Sequence, residues 1–291
     1  MRILVSIRPM LSYRHGFHAG NFADVLKHAV LTQIVRSLLR KPAPFFYLDT
    51  HAGAGRYDLE SAMAKQNREH RSGIERLWKL PSVPPELEDY LAAVRMLNPG
   101  GRLRFYPGSP LIVRHFLRGG ERMVLCELHG TEVLSLRSLF AGERRITVHP
   151  TDGYQGLKAF LPPPERRGLV LCDPSFELRN ERERMTEAAA GAWKRWPTGI
   201  FAYWYPIQDR RTADRLRRKF RQTGIDRLLA MELSVLPESG DKRMYGSGMI
   251  VINPPWRLDE HMKTLLPWLH ATLSPEGEGG WRLEWLAGEP D

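Results

Sequence analysis

Cysteine is scarce in this chain. Two occur in 291 residues, Cys126 and Cys172. Two thiols cannot build the disulfide framework of a small secreted domain or the four-thiolate cage of a structural zinc site. Each closes a short apolar run, "RMVLC" and "GLVLC", so both are expected as buried free thiols. Long apolar runs are missing as well. Nothing approaches the roughly 18 or more residues that suggest a bilayer span, so no membrane association is expected. The apolar patch in "MRILVSIRPMLSYRHGFHAG" is short and has no clean small-residue cleavage site. That argues against a signal peptide and for a cytoplasmic protein. No internal repeat or low-complexity tract is visible, which sets aside solenoids. The histidines at 15, 18, 28 and 51 have no metal-ligand spacing, so no metal site is expected.

Acids are in the minority. Asp and Glu number 33 against 43 Lys and Arg, a formal net charge of +10. Such an excess favours a polyanionic partner, most simply nucleic acid; a solvated basic surface is the alternative. The densest cluster, "DRRTADRLRRKFRQTG" at 209–224, reads as a helix with cationic faces and with Leu216 and Phe220 turned inward. It could pair with phosphates or simply face water.

Hydrophobic periodicity organises the chain. Apolar residues at 22, 25, 26, 29, 30, 34, 35, 38 and 39 predict a helix with a broad buried face, begun by Asn21 and Asp24. "APFFYLDT" (43–50) reads as a strand and "HAGAGRYD" (51–58) as a glycine-bearing loop. Residues 58–104 are polar and helical, broken by "LPSVPPE" and "NPGG". They are read as a helical insertion subdomain within one domain formed by 1–57 and 105–291. Short apolar runs then return: "RMVLCELH", "RITVHP", "GLVLCDP" and "GIFAYWYPI", separated by helix-like segments. The alternation predicts an α/β fold with a mostly parallel sheet and helices on both faces. "DRLLAMELSVLP" and "GSGMIVINPPW" are expected to close it as an antiparallel hairpin at the edge.

Ligands of such sheets bind at the carboxyl ends of the strands. The first strand ends in Asp49, followed by His51, Gly53 and Gly55. A dinucleotide fingerprint would want a glycine where Asp58 stands, which disfavours a nicotinamide cofactor. Glu127 ends the next strand, where a carboxylate suits the two hydroxyls of a ribose. Asp152 follows in "TDGYQGL" and could accept from an adenine amine. Asp173 ends "LVLCDPSFE", nearly the Asp-Pro-Pro-Tyr-like signature of enzymes that methylate exocyclic amines on bases. A second near-copy, "MIVINPPW" (249–256), follows the edge hairpin, far along the sheet. It is read as a strand-to-helix turn with a packed indole at Trp256.

This order of groups resembles class I methyltransferases that use S-adenosylmethionine. "MLSYRHGFHAGNFADVLKH" (10–28), "YLDTHAGAGRY" (47–57), "YPGSPLI" (106–112), "SGMIVINPPW" (247–256) and "LPWLH" (266–270) are similar to the RlmJ family of 23S ribosomal RNA adenine-N6 methyltransferases. The resemblance covers nearly the whole chain from Met10. It implies a Rossmann-like methyltransferase fold and S-adenosyl-L-methionine as cofactor. It also implies, residue by residue, that His28, His51, Ser109, Glu127, Asp152, Gly153 and Asp173 contact that cofactor. Asp173 would be the acid–base residue, with the Pro174 carbonyl as a second acceptor for the amine, Phe176 stacking on the base, and Lys27 at the catalytic centre. Tyr13 and His15 would meet the RNA. The partner implied is 23S rRNA, protein-free or in an early assembly intermediate, with the enzyme a monomer.

Two departures stand out. Residues 1–9 precede the resembling segment, so Met10 is an alternative start. Ser175 and Phe176 stand where the family has proline and tyrosine; serine is expected to loosen the motif without inactivating it. Two rival functions remain: a catalytically impaired RNA-binding or ribosome-assembly protein, and a DNA adenine-N6 methyltransferase.

Overall fold

A computed structural model of the chain describes residues 13–240 and 243–288. The expectation for residues 1–9 and Met10 therefore lies outside the described residues. The chain begins with α1 (Phe22–Leu39), β1 (Phe46–Asp49) and β2 (Arg56–Asp58). Three helices follow, α2 (Ala62–Asn67), α3 (Ile74–Trp78) and α4 (Pro85–Met96), before β3 (Phe105–Pro107). Strands and helices then alternate: α5 (Ser109–His115), β4 (Arg122–Glu127), α6 (Gly130–Leu139), β5 (Ile146–Pro150), α7 (Gly153–Phe160), β6 (Gly168–Cys172), α8 (Glu181–Arg195) and β7 (Ile200–Ile207). The end comprises α9 (Arg210–Arg221), β8 (Leu228–Ser234), β9 (Gly246–Ile252), α10 (Leu258–Leu273) and β10 (Gly280–Ala287).

The main sheet has eight strands in the order β10-β8-β9-β7-β6-β1-β4-β5. From β5 to β7 every pairing is parallel; β9, β8 and β10 add antiparallel pairings. The parallel strands read as unbroken apolar runs because both faces are covered. Phe46 and Leu48 of β1 and Val170 and Cys172 of β6 belong to the core beneath α7, α8 and α9. Tyr47, Leu169 and Leu171 face the other core, beneath α1, α4, α5 and α10. Both cysteines are buried and free. Among the described residues no helix is long and apolar enough to cross a membrane.

Chain order decides where ligands can bind. From β1 the chain moves outward through β4 and β5, then returns to β6 on the other side of β1. The carboxyl ends of β1 and β6 flank that reversal, the topological switch point of an open sheet. Helix α1 packs on β9, β6 and β7, and the contact of Lys27 with Asp173 places its first turns at the same end. Asn21 caps α1, its side chain accepting from the Asp24 N–H. The helix is buried almost all round from Phe22 to Val35, more than a single apolar face would give. The cause is α4, which packs on its far side, where the buried Gln33 donates to the Glu86 carbonyl.

Two expectations need correction. The hairpin β8–β9 does not form the edge: β10 pairs with β8 and takes that place. Its alternation of Trp281, Leu283 and Trp285 with Arg282 and Glu284 is a strand signal. Trp256 is not a packed indole. It is 66% exposed, between the guanidinium groups of Arg40 and Arg257, while Leu258 fills the core in its place. In the basic helix, α9, part of the positive charge is paired within the fold. Arg217 is buried and pairs with Asp214 and Glu284, Arg221 with Glu284, Arg210 with Glu232, and Lys219 with Glu183. Those four cations anchor α9 to β8, β10 and α8, whereas Arg211, Arg215 and Arg218 are exposed.

Candidate active site

A cavity of about 520 Å³ opens at the switch point. Its walls bring together Tyr13, His15, Lys27, His28, His51, Ser109, Glu127, Asp152, Gly153, Asp173 and Pro174, which the sequence scatters over more than half the chain. Phe176 is the exception among the expected site residues. Its backbone is left-handed (φ 55°), and its ring packs edge-on against Trp204 at 5.9 Å and beneath Arg182. It does not line the cavity.

At one end the cavity is strongly ionic. Lys27 Nζ donates to Asp173 Oδ2 at 2.5 Å and lies 2.7 Å from Asp24 Oδ1. Burial disfavours the ammonium, but the carboxylates of Asp173 and Asp24 outweigh it and hold the lysine above its usual range. Asp24 is itself buried; burial works against its charge, yet His15 and Lys27 keep it well below the usual carboxylate range. His15 Nε2 lies 2.8 Å from Asp24 Oδ2, and His15 Nδ1 lies 2.9 Å from the Tyr13 hydroxyl. Neither Asp173 Oδ1 nor the Pro174 carbonyl has a hydrogen-bond partner among the described residues.

The other end is built from strand termini and backbone. Glu127 accepts from three backbone N–H groups, those of Gly53 (2.8 Å), Leu128 (2.7 Å) and His129 (2.8 Å). Gly53 and Gly55 hold the left-handed turns that aim the first of these (φ 58° and 77°). Burial nevertheless lifts Glu127 above the usual glutamate range. Asp152 caps α7, Oδ1 accepting from Tyr154 and Gln155, while Oδ2 accepts from Arg184 at 3.0 Å. At Gly153 a Cβ would sit 2.3 Å from the Thr50 carbonyl oxygen, so α7 can approach the loop after β1 only through glycine. His51 is pushed down to about 4 by burial and is therefore neutral near pH 7. Asp49 lies beneath the cavity and does not line it. It accepts from Tyr47 (2.7 Å) and Ser109 (2.6 Å), and burial pushes it up to about 6. His28 is neutral as well, lowered by burial and by Lys27; its Nδ1 meets the Tyr106 hydroxyl at 2.6 Å. The opposite nitrogen, Nε2, is buried with no partner.

The family model described as "Ribosomal RNA large subunit methyltransferase D, RlmJ" matches residues 42–287. The chain belongs to the RlmJ family. It is 49% identical over 280 residues to the Ribosomal RNA large subunit methyltransferase J of Escherichia coli (strain K12), covering 96% of this chain and 100% of that protein. To the methyltransferase J of Haemophilus influenzae it is 46% identical over 281 residues, covering 96% and 100%. A crystal structure of a Legionella pneumophila protein superposes with a TM-score of 0.85 at 35% identity, covering 93% of this chain and 98% of that one.

Within this RlmJ-family chain, Ser175 is held by its neighbour: its hydroxyl donates to Glu177 Oε2 at 3.3 Å, and Glu177 Oε1 accepts from the Tyr13 N–H at 3.0 Å. Proline at 175 would precede the left-handed Phe176, the arrangement a type II turn favours. It would remove about 0.4–1 kcal/mol of chain freedom. Ser175→Pro is therefore expected to preserve or raise single-turnover methylation by no more than about fivefold. A wild-type protein with no turnover, rescued only by proline, would instead point to a decayed enzyme. Sequence reasoning missed Asp24, Glu177 and Arg184 as site residues. Asp24 carried only a helix-cap signal, Glu177 sits just past the motif, and nothing in the polar run "ERERMTEAAAG" marks the face bearing Arg184.

Proposed function

We propose that this chain transfers the methyl group of S-adenosylmethionine to the N6 amine of an adenine in 23S rRNA. The observation that carries the reading is Asp173 at the cavity wall, one carboxylate oxygen held by Lys27 and the other open beside the open carbonyl of Pro174. Two acceptors side by side match the two N–H bonds of an exocyclic amine. They can turn its lone pair toward an electrophile, and such positioning supplies much of the acceleration. Asp173 then accepts, or relays to water, the proton lost from the amine.

The residues fit the cofactor. Glu127 keeps acceptor capacity beyond its three backbone bonds, suited to ribose hydroxyls. Ser109 spends its proton on Asp49, so toward a ligand its oxygen can only accept, which suits an ammonium. The unpaired His28 Nε2 is a buried polar atom that a polar ligand group would satisfy. Asp152 would face the adenine amine, and His51 and Gly153 would shape the wall between. When bound, the cofactor supplies an electrophilic methyl carbon on a sulfonium. Tyr13 and His15 stand where the RNA would enter. Phe176 supports the turn against Trp204; stacking on the target base would require that turn to move.

We read residues 58–104 as an insertion subdomain on a methyltransferase domain of 1–57 and 105–291. The protein would act in the cytoplasm as a monomer on protein-free or early-assembling 23S rRNA. The test is incubation with protein-free 23S rRNA and radiolabelled S-adenosylmethionine, then digestion to nucleosides. Label in N6-methyladenosine is expected; label in another nucleoside, or only when DNA is offered, would overturn the reading. Glu127→Ala should weaken cofactor binding by about tenfold or more, since a hydrogen bond to a charged group contributes about 1.5–3 kcal/mol. Unchanged affinity by calorimetry would remove Glu127 from the ribose site.

A further inference from the structure

We propose that Asp24, which does not line the cavity, is a positioning residue for methyl transfer. It is the buried carboxylate that holds Lys27 against Asp173 and His15 against Tyr13. The proposal rests on the reading of Asp173 as the residue that receives the amine.

Three donors from three directions converge on Asp24. Oδ2 accepts from the Gly20 N–H at 2.8 Å and meets His15 Nε2 at 2.8 Å; Oδ1 lies 2.7 Å from Lys27 Nζ. The simplest account is a capping box, with Asn21 as the cap and Asp24 reaching back to the chain before it. That account explains the bond to Gly20 and leaves the other two unexplained. Those two lead to groups that line the cavity. One continues through His15 to the Tyr13 hydroxyl, the other through Lys27 to Asp173, giving an unbroken chain Tyr13–His15–Asp24–Lys27–Asp173.

Lysine is a point charge on a flexible four-carbon stem, without the geometric preference of a guanidinium. A single carboxylate would leave its ammonium free to pivot about Asp173. Two carboxylates, at 2.5 and 2.7 Å, restrain it at two points. Asp173 then presents its open oxygen to the amine in one orientation. Asp24 is 1% exposed, so neither water nor salt competes for these bonds. A misplacement of about 1 Å at a reacting group can lower a rate by about 100-fold, and this is the scale expected on loss of the Asp24 charge.

The test is Asp24→Asn, which keeps an oxygen for Gly20 and removes the charge. Wild type and variant are compared in single-turnover transfer to protein-free 23S rRNA at saturating S-adenosylmethionine. Cofactor affinity and the proton–nitrogen NMR signal expected of the buried Lys27 ammonium are measured alongside. The expected result is transfer slower by about 30-fold or more, cofactor affinity within about twofold, and loss of the ammonium signal. A folded variant with wild-type transfer overturns the proposal. Absence of transfer by wild type would instead overturn the assigned function, and the NMR comparison would still report whether Asp24 holds Lys27. Asp24→Glu keeps both charge and cap and should recover at least about a fifth of the wild-type rate. A folded Glu variant no faster than Asp24→Asn, or no faster than Lys27→Ala should the Asn variant fail to fold, also overturns it.

Discussion

Asp173→Ala is expected to lower the single-turnover rate of methyl transfer by about three orders of magnitude, the scale of a lost acid–base group, while S-adenosylmethionine still binds within about threefold. The reason is spatial. Asp173 directly follows β6, with one oxygen on Lys27 and the other open. The groups suited to hold the cofactor, Glu127, Ser109 and His28, hang from β4, α5 and α1 and do not depend on it. Lys27 keeps Asp24 as a counter-ion in the variant, so the site should not collapse. Single-turnover kinetics paired with calorimetry decide the matter. A folded variant that transfers at close to the wild-type rate would remove Asp173 from the reaction.

Lys27→Ala is expected to be nearly as damaging and to act differently. It leaves the buried Asp24 and the half-buried Asp173 carboxylates without the cation both contact. Breaking a buried pair by removing one partner costs about 3–5 kcal/mol, so the midpoint of chemical denaturation should fall clearly. The variant should also lose about 100-fold in rate, by the loss of a correctly placed acceptor. A variant with unaltered stability, or one with the wild-type rate, would contradict this account of the lysine.

Ser175 shows how local chemistry can offset a departure from a family pattern. The serine hydroxyl bonds to Glu177, which also holds the Tyr13 backbone, so the turn after Asp173 is tied to the segment at the cavity mouth. Phe176 shows the opposite. Its position in the motif suggested a stacking platform, whereas its left-handed backbone sends the ring to Trp204.

The strand ends were legible because period and composition are local. A buried parallel strand must be apolar throughout, so "FFYLD", "MVLCE" and "LVLCD" announce both the strand and the acid that ends it. Asn21 and Asp24 were legible as helix-start residues for the same reason. The antiparallel end was read less well. The alternation in "GWRLEWLA" is weak on an edge strand, and the hairpin before it seemed able to close the sheet alone.

By itself the sequence determined the α/β class, the two-sided core, the buried thiols and the family, since all of these follow from residue types and spacings along the chain. The tertiary structure alone decided which charges meet. Lys27 and Asp173 are far apart in sequence, and an ion pair between them leaves no periodicity to read. The same holds for α9, where β8, β10 and α8 bring Glu232 against Arg210, Glu284 against Arg217 and Glu183 against Lys219. Charge is written in the sequence, but its partner is chosen by the fold, because Coulomb attraction depends on distance and burial rather than on order along the chain.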